Sequence, residues 1–162
     1  MSRRTALVLL ALTLVSAVVT GAWVWTTLRD APPRYPDISV YSRGDTVRVG
    51  PIKYCRVDLS DCRAPGQEGT LRVAHDKPVQ LSVDHAISEA PWRMLRFYED
   101  GGDPVENSYP PNSRLAVTVP TVDPQRGRLQ GIGVYLPTLV LDPRGEIAEV
   151  PHAEWSVRTV WD

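Results

Sequence analysis

Few side chains in this 162-residue chain are of a type and spacing that could do chemistry. Cys55 and Cys62 are the only cysteines, with six residues between them. That is not C-x-x-C redox spacing, and two cysteines alone cannot complete a four-ligand zinc site. A disulfide closing the loop over residues 56–61 is their expected state in an oxidising compartment. Loop-closure entropy would make it worth ~2.5 kcal/mol. His152 and Glu154 alternate along one segment and form the least implausible acid–base pair, since both would point to one strand face. His75 and His85 flank the apolar run 79–83 at opposite ends and are too far apart to share a metal. The acidic loop Glu99-Asp100-Gly101-Gly102-Asp103, with Glu106 and Asn107 beyond, misses the spacing of a calcium loop. Arg43-Gly44-Asp45 is ordinary turn composition. No G-x-S-x-G, S-x-x-K, H-E-x-x-H or phosphate-cradling glycine loop occurs, so neither a catalytic residue nor a cofactor or metal is expected.

The remaining candidates are aromatic. Pro91-Trp92-Arg93 and Pro151-His152-Ala153-Glu154-Trp155 place indoles beside charged groups. Exposed, such indoles suit sugars, lipids or peptides; buried, they supply the core volume that a chain with one Phe otherwise lacks. Trp92, Arg93, His152, Glu154 and Trp155 are therefore the candidate binding surface, with packing as the competing role.

Two kinds of element must position these groups. Residues 6–25 carry no charge and follow Arg3-Arg4. As a helix they would span ~30 Å, the thickness of a bilayer core. The basic doublet places residues 1–5 on the cytoplasmic side, and Trp23 and Trp25 suit the headgroup level. A retained single-pass anchor is favoured over a secretory signal cleaved after Ala22, because Thr20-Gly21-Ala22 matches A-x-A poorly and the run is long for a signal. Either way the rest of the chain lies outside the cytoplasm. Residues 26–36, with Pro32, Pro33 and Pro36, read as an extended spacer.

Residues 37–162 read as one extracytoplasmic domain. From Tyr35 onward there are 14 basic and 18 acidic residues, a net charge near −4 that offers no electrostatic footprint for nucleic acid or for an anionic membrane surface. Of the chain's fifteen prolines most are spaced along this domain and exclude long helices from it. Between them lie alternating runs: Val47/Val49, Leu71/Val73, Val79/Leu81/Val83, Leu115/Val117/Val119 and Trp155/Val157/Trp161. Residues 92–98 and 129–141 are apolar on both faces and belong centrally, the latter with a bulge or bend signalled by Gly131, Gly133 and Pro137. Asp142-Pro143-Arg144-Gly145 fits a hairpin turn, and a helical turn is expected at residues 87–90, ahead of Pro91. Eight or nine short strands predict an all-β, immunoglobulin-like sandwich, with a small β-barrel as the alternative.

Several segments carry a family resemblance: Tyr41-Ser42-Arg43-Gly44-Asp45-Thr46-Val47-Arg48-Val49-Gly50, Tyr54-Cys55-Arg56-Val57-Asp58 with Asp61-Cys62, and Glu89-Ala90-Pro91-Trp92-Arg93. Residues 119–129 and Val150-Pro151-His152-Ala153-Glu154-Trp155-Ser156 extend it over nearly the whole chain. The chain resembles a domain-of-unknown-function family of actinobacterial proteins with one N-terminal export or anchor segment. Sixteen arginines against two lysines accord with a GC-rich, actinobacterial source. The resemblance implies an envelope protein and brings no activity, ligand or catalytic residue. The resulting expectation is a tethered, non-catalytic module that binds an envelope protein partner. Cell-wall glycan or lipid binding through exposed indoles, and an envelope hydrolase, are the alternatives.

Overall fold

The structure, a computed structural model, describes residues 3–30, 34–141 and 144–161. It divides into two compact units, Met1–Arg34 and Tyr35–Asp162. The first is one helix, α1 (Arg3–Arg29), with a mean hydropathy of 2.3 over its most apolar window and none of that window buried. Its 27 residues are long and apolar enough to cross a membrane, a length and composition that serve an anchor or an export signal equally. The helix runs through Thr26–Arg29, which the spacer expectation had placed in extended chain. Nothing before Pro32 breaks a helix, and the hydroxyls of Thr26 and Thr27 donate back to the carbonyls of Trp23 and Val24. Pro32 and Pro33 lie outside the described residues.

The second unit comprises β1 (Ile38–Ser42), β2 (Asp45–Val49), β3 (Lys53–Tyr54), β4 (Gly69–Val73), β5 (Val79–Val83) and the single turn α2 (His85–Ser88). After these come β6 (Trp92–Tyr98), β7 (Val105–Tyr109), β8 (Ala116–Val119), β9 (Val122–Asp123), β10 (Gly127–Leu141) and β11 (Ile147–Trp161). The described strands therefore number eleven rather than eight or nine, and two of them are 15 residues long. The helical turn sits two residues earlier than expected because the Asp84 carboxylate accepts the Ala86 N–H as its N-cap.

A four-stranded sheet, β2-β1-β5-β8, faces a larger one, β3-β11-β10-β6-β7, in which β4 also pairs with β11 and β9 with β10. Neither closes on itself, so the fold is a sandwich and not the alternative barrel. The orders β1-β5-β8 and β11-β10-β6-β7 follow the A-B-E and G-F-C-C′ orders of immunoglobulin-like domains, with a buried Trp opening the C-like strand β6. The alternating runs have their apolar positions facing inward: β5 is buried at Val79, Leu81 and Val83 and exposed at Gln80 and Ser82. Trp92 and Trp155 are fully buried between the sheets among Met94, Leu129, Val134 and Val157. Burying each large side chain contributes ~1.5–3 kcal/mol.

Cys55 and Cys62 form the disulfide expected of them. Unlike the bridge of antibody domains, it joins no two sheets; it staples one loop after β3. A register shift in the β10–β11 ladder pairs Leu136 with Ala153 but Pro137 with Pro151, leaving His152 as an extra residue. The bulge expected within residues 129–141 is present at Gln130, beside Gly131, where β10 carries one extra residue against β6, and a second irregularity lies at Pro137, with the inserted residue on β11. Of the expected hairpin turn, Asp142 and Pro143 lie outside the described residues, while Gly145 adopts φ +81°, which favours glycine.

Candidate functional site

Strict alternation along β6 turns Trp92, Met94 and Tyr98 into the core and Arg93, Leu95 and Phe97 to the outer face of the larger sheet. Register then assembles their neighbours. Arg93 and Leu95 lie opposite Tyr135 and Gly133 of β10, and Glu106 of β7 lies opposite Leu95. Glu154 of β11 lies opposite Tyr135. Leu95, Phe97, Glu106, Tyr135, Glu149 and Glu154 line a cleft of about 460 Å³. Glu149 also borders a second cleft of about 420 Å³, whose walls include Pro91, Tyr109, Pro137 and Leu139.

Arg93 lines the second of these clefts, and its guanidinium reaches the two carboxylates, Glu106 and Glu149, that line the first. One of its terminal nitrogens donates to Glu106 and the other to Glu149, so a single cation holds two carboxylates from opposite flanks of the sheet. The hydrogen bond to Glu106 raises the pKa of Arg93 further. Burial, followed by the negative charge of Glu106, pushes the Tyr135 phenol above its ordinary range. The phenol is therefore a neutral hydrogen-bond donor at physiological pH. Glu154 pairs with Lys53 at 3.4 Å. The face combines an apolar shelf at Leu95 and Phe97 with matched charges and one phenolic donor, groups suited to holding a surface in place.

The five sequence candidates are only partly brought together. Arg93 and Glu154 reach this face. Trp92 and Trp155 do not present their rings: they are 0% and 1% exposed, which corrects the expectation that they form a binding surface. Trp92 stacks on Tyr109 at 4.2 Å between centroids. Trp155 meets Tyr54 edge-on and donates its indole N–H to the Pro36 carbonyl at 2.9 Å. Core volume takes both indoles, as it must in a domain whose single Phe, Phe97, faces outward.

His152 and Glu154 do not form a shared acid–base site. Nδ1 of His152 lies 3.2 Å from the Cys55 carbonyl, and the ring borders a separate cleft beside the disulfide loop. Inserting His152 as the bulged residue breaks the two-residue alternation that would have put both side chains on one face. Among the described residues no three His, Cys, Asp or Glu side chains converge at metal-binding distance. The sequence pattern pointed to neither Tyr135 nor Glu149, and to Glu106 only as a residue beyond an acidic loop. Alternation on β6 could have grouped Arg93 with Leu95 and Phe97, but nothing local shows what lies across the ladder.

An apolar N-terminal helix preceding a disulfide-stapled, immunoglobulin-like sandwich with a mixed apolar and charged outer face defines the class of protein. The chain belongs to the family described as protein of unknown function (DUF2771), which it matches over residues 31–160. It is 50% identical over 162 residues to uncharacterized proteins of Mycobacterium bovis and Mycobacterium tuberculosis, covering 99% of this chain and 100% of each relative. No solved structure matches the chain.

Proposed function

We propose that this protein is a membrane-tethered, extracytoplasmic and non-catalytic module that holds an envelope protein partner on the outer face of its larger sheet. The observation that carries the reading is the cleft over Leu95, Phe97 and Tyr135, bordered by the Arg93–Glu106–Glu149 network. Phe97 is 42% exposed at its edge, a ring left in water although the domain has no other Phe for its core. An aromatic anchor ringed by charges is the composition of a protein-binding patch. The helix Arg3–Arg29 serves as a retained single-pass anchor with Arg3 and Arg4 on the cytoplasmic side, and the disulfide suits the oxidising side.

Capture from solubilised membranes of the source organism tests the partner. Wild-type protein should recover a protein that a Leu95→Asp, Phe97→Asp variant loses while keeping its fold. Identical recoveries from both, or none from wild type, would sink the reading. Mass measurement of the mature chain tests the anchor, since loss of the first 22 residues would mean a cleaved signal.

A further inference from the structure

We infer that the end of the β10–β11 hairpin is a second membrane contact, laying the aliphatic face of Leu139, Leu141 and Ile147 on the phospholipid bilayer that holds α1. The inference rests on the anchored reading above. Its first support is that the hairpin outruns the sandwich. On one side, pairing of β10 with β6 ends at Tyr135–Arg93. On the other, pairing of β11 with β3 ends at Ala153–Tyr54. Pro137 and Pro151, which face each other just beyond, have no N–H to offer a flanking strand. Among the described residues no other strand flanks the four pairs from Thr138–Val150 to Leu141–Ile147 on either edge. At ~3.3 Å per residue that extension is ~13 Å long before its turn.

The second support is what the extension exposes. Leu139 is 68% exposed, Leu141 72% and Ile147 71%, the highest values among the apolar side chains of the domain. Leu141 and Ile147 are direct cross-strand partners, and Leu139 is two residues along on the same face. On the other face, the Thr138 hydroxyl donates to the Val57 carbonyl of the disulfide loop, which fixes the root of the extension. Three large aliphatic side chains sharing one face in water need a cover.

The third support identifies that cover. The polypeptide enters the domain at the same end: the Tyr35 ring meets Tyr54, which pairs with Ala153, and the Pro36 carbonyl accepts the Trp155 indole. The root of the extension at Pro151 is thus two residues from the level where the chain arrives. Asp30 to Arg34 separate this entry from the end of α1, and five residues reach at most about 18 Å when fully extended. An anchored chain holds this end of the domain within the range of the hairpin, so the nearest apolar phase is the bilayer itself. The turn beyond Leu141 and Ile147 carries Asp142, Arg144 and Glu146 in sequence, charges that belong among the headgroups and limit the contact to that depth.

The experiment uses the full chain in vesicles of phosphatidylethanolamine and phosphatidylglycerol, with p-benzoylphenylalanine placed singly at Leu141, Ile147, Phe97 or Val160. Irradiation should yield phospholipid adducts by mass at Leu141 and Ile147 at least fivefold above those at Phe97 and Val160. Equal labelling at all four positions, or adducts at the tip to a second copy of the chain in place of lipid, would overturn the inference. Flotation after alkaline carbonate separates the two readings. A chain that floats without tip adducts keeps its anchor and loses the hairpin contact, whereas a chain that fails to float overturns both.

Discussion

Removing the Cys55–Cys62 cross-link perturbs the domain in a way whose size can be worked out beforehand. The bridge joins positions seven apart, so it closes a loop of roughly 8 residues, for which chain entropy gives about 2.5 kcal/mol at 25 °C. The loop is also docked from several sides. The Cys55 N–H donates to the His152 carbonyl at 2.8 Å, the Arg63 N–H to Tyr54 at 2.9 Å, and the Thr138 hydroxyl to Val57 at 2.9 Å. These bonds survive reduction, so the native fold persists and the loss falls on the unfolded side of the equilibrium. With a urea dependence of ~1.5 kcal/mol per molar for a domain of this size, the midpoint should drop by ~1.7 M. Urea titration of the wild-type chain with and without reductant, followed by tryptophan fluorescence as buried Trp92 and Trp155 become exposed, measures the cross-link alone. A Cys55→Ala, Cys62→Ala variant should fall slightly lower, because Cys55 is 2% exposed and contributes packing. A midpoint change below about 0.5 M would refute the reasoning, since the loop would then be as ordered in the unfolded chain without its bridge.

Four further outcomes follow from particular contacts. Gly66→Ala should destabilise the domain by ~1–3 kcal/mol in the same titration, because an added Cβ would lie 2.5 Å from the Gly50 carbonyl oxygen, a backbone atom that cannot swing aside. Trp155→Phe should lose ~1 kcal/mol more than Trp92→Phe, since the Trp155 indole N–H bonds Pro36 while that of Trp92 is buried with no partner. In an ultraviolet titration Tyr135 should ionise above the ordinary tyrosine range, and Glu106→Gln should bring it part of the way down, burial being the larger cause. Its folded pKa is raised, so its contribution to stability is complete below the ordinary value and is lost as pH climbs through the folded one. Asp58 has the opposite sign: the Ser60 hydroxyl and amide hold its carboxyl below the usual range, so the order of that turn persists above it and is lost as pH falls through the lowered value, which carboxyl-detected NMR reads directly.

Local pattern alone determined the parts of this protein that depend on local physics. Twenty uncharged residues behind two arginines make one apolar helix whatever follows, and period-two alternation sorts β5 and β6 into inner and outer faces. Two cysteines seven positions apart in one loop need no distant element to meet. The tertiary structure decided everything that depends on register. Gly69–Val73 reads as a strand, but only the folded chain makes it run parallel to β11. Arg93 is visible as a charge beside Trp92, yet its two carboxylates come from 13 and 56 residues away, brought into reach by ladders whose offsets no local pattern encodes. The single inserted residue at His152 then parts it from Glu154 and leaves Glu149, before the bulge, and Glu154, after it, bordering one cleft. A side chain's face is set by its own backbone, while its neighbours are set by turns and bulges elsewhere, and one residue's slip in either exchanges the faces of the strand.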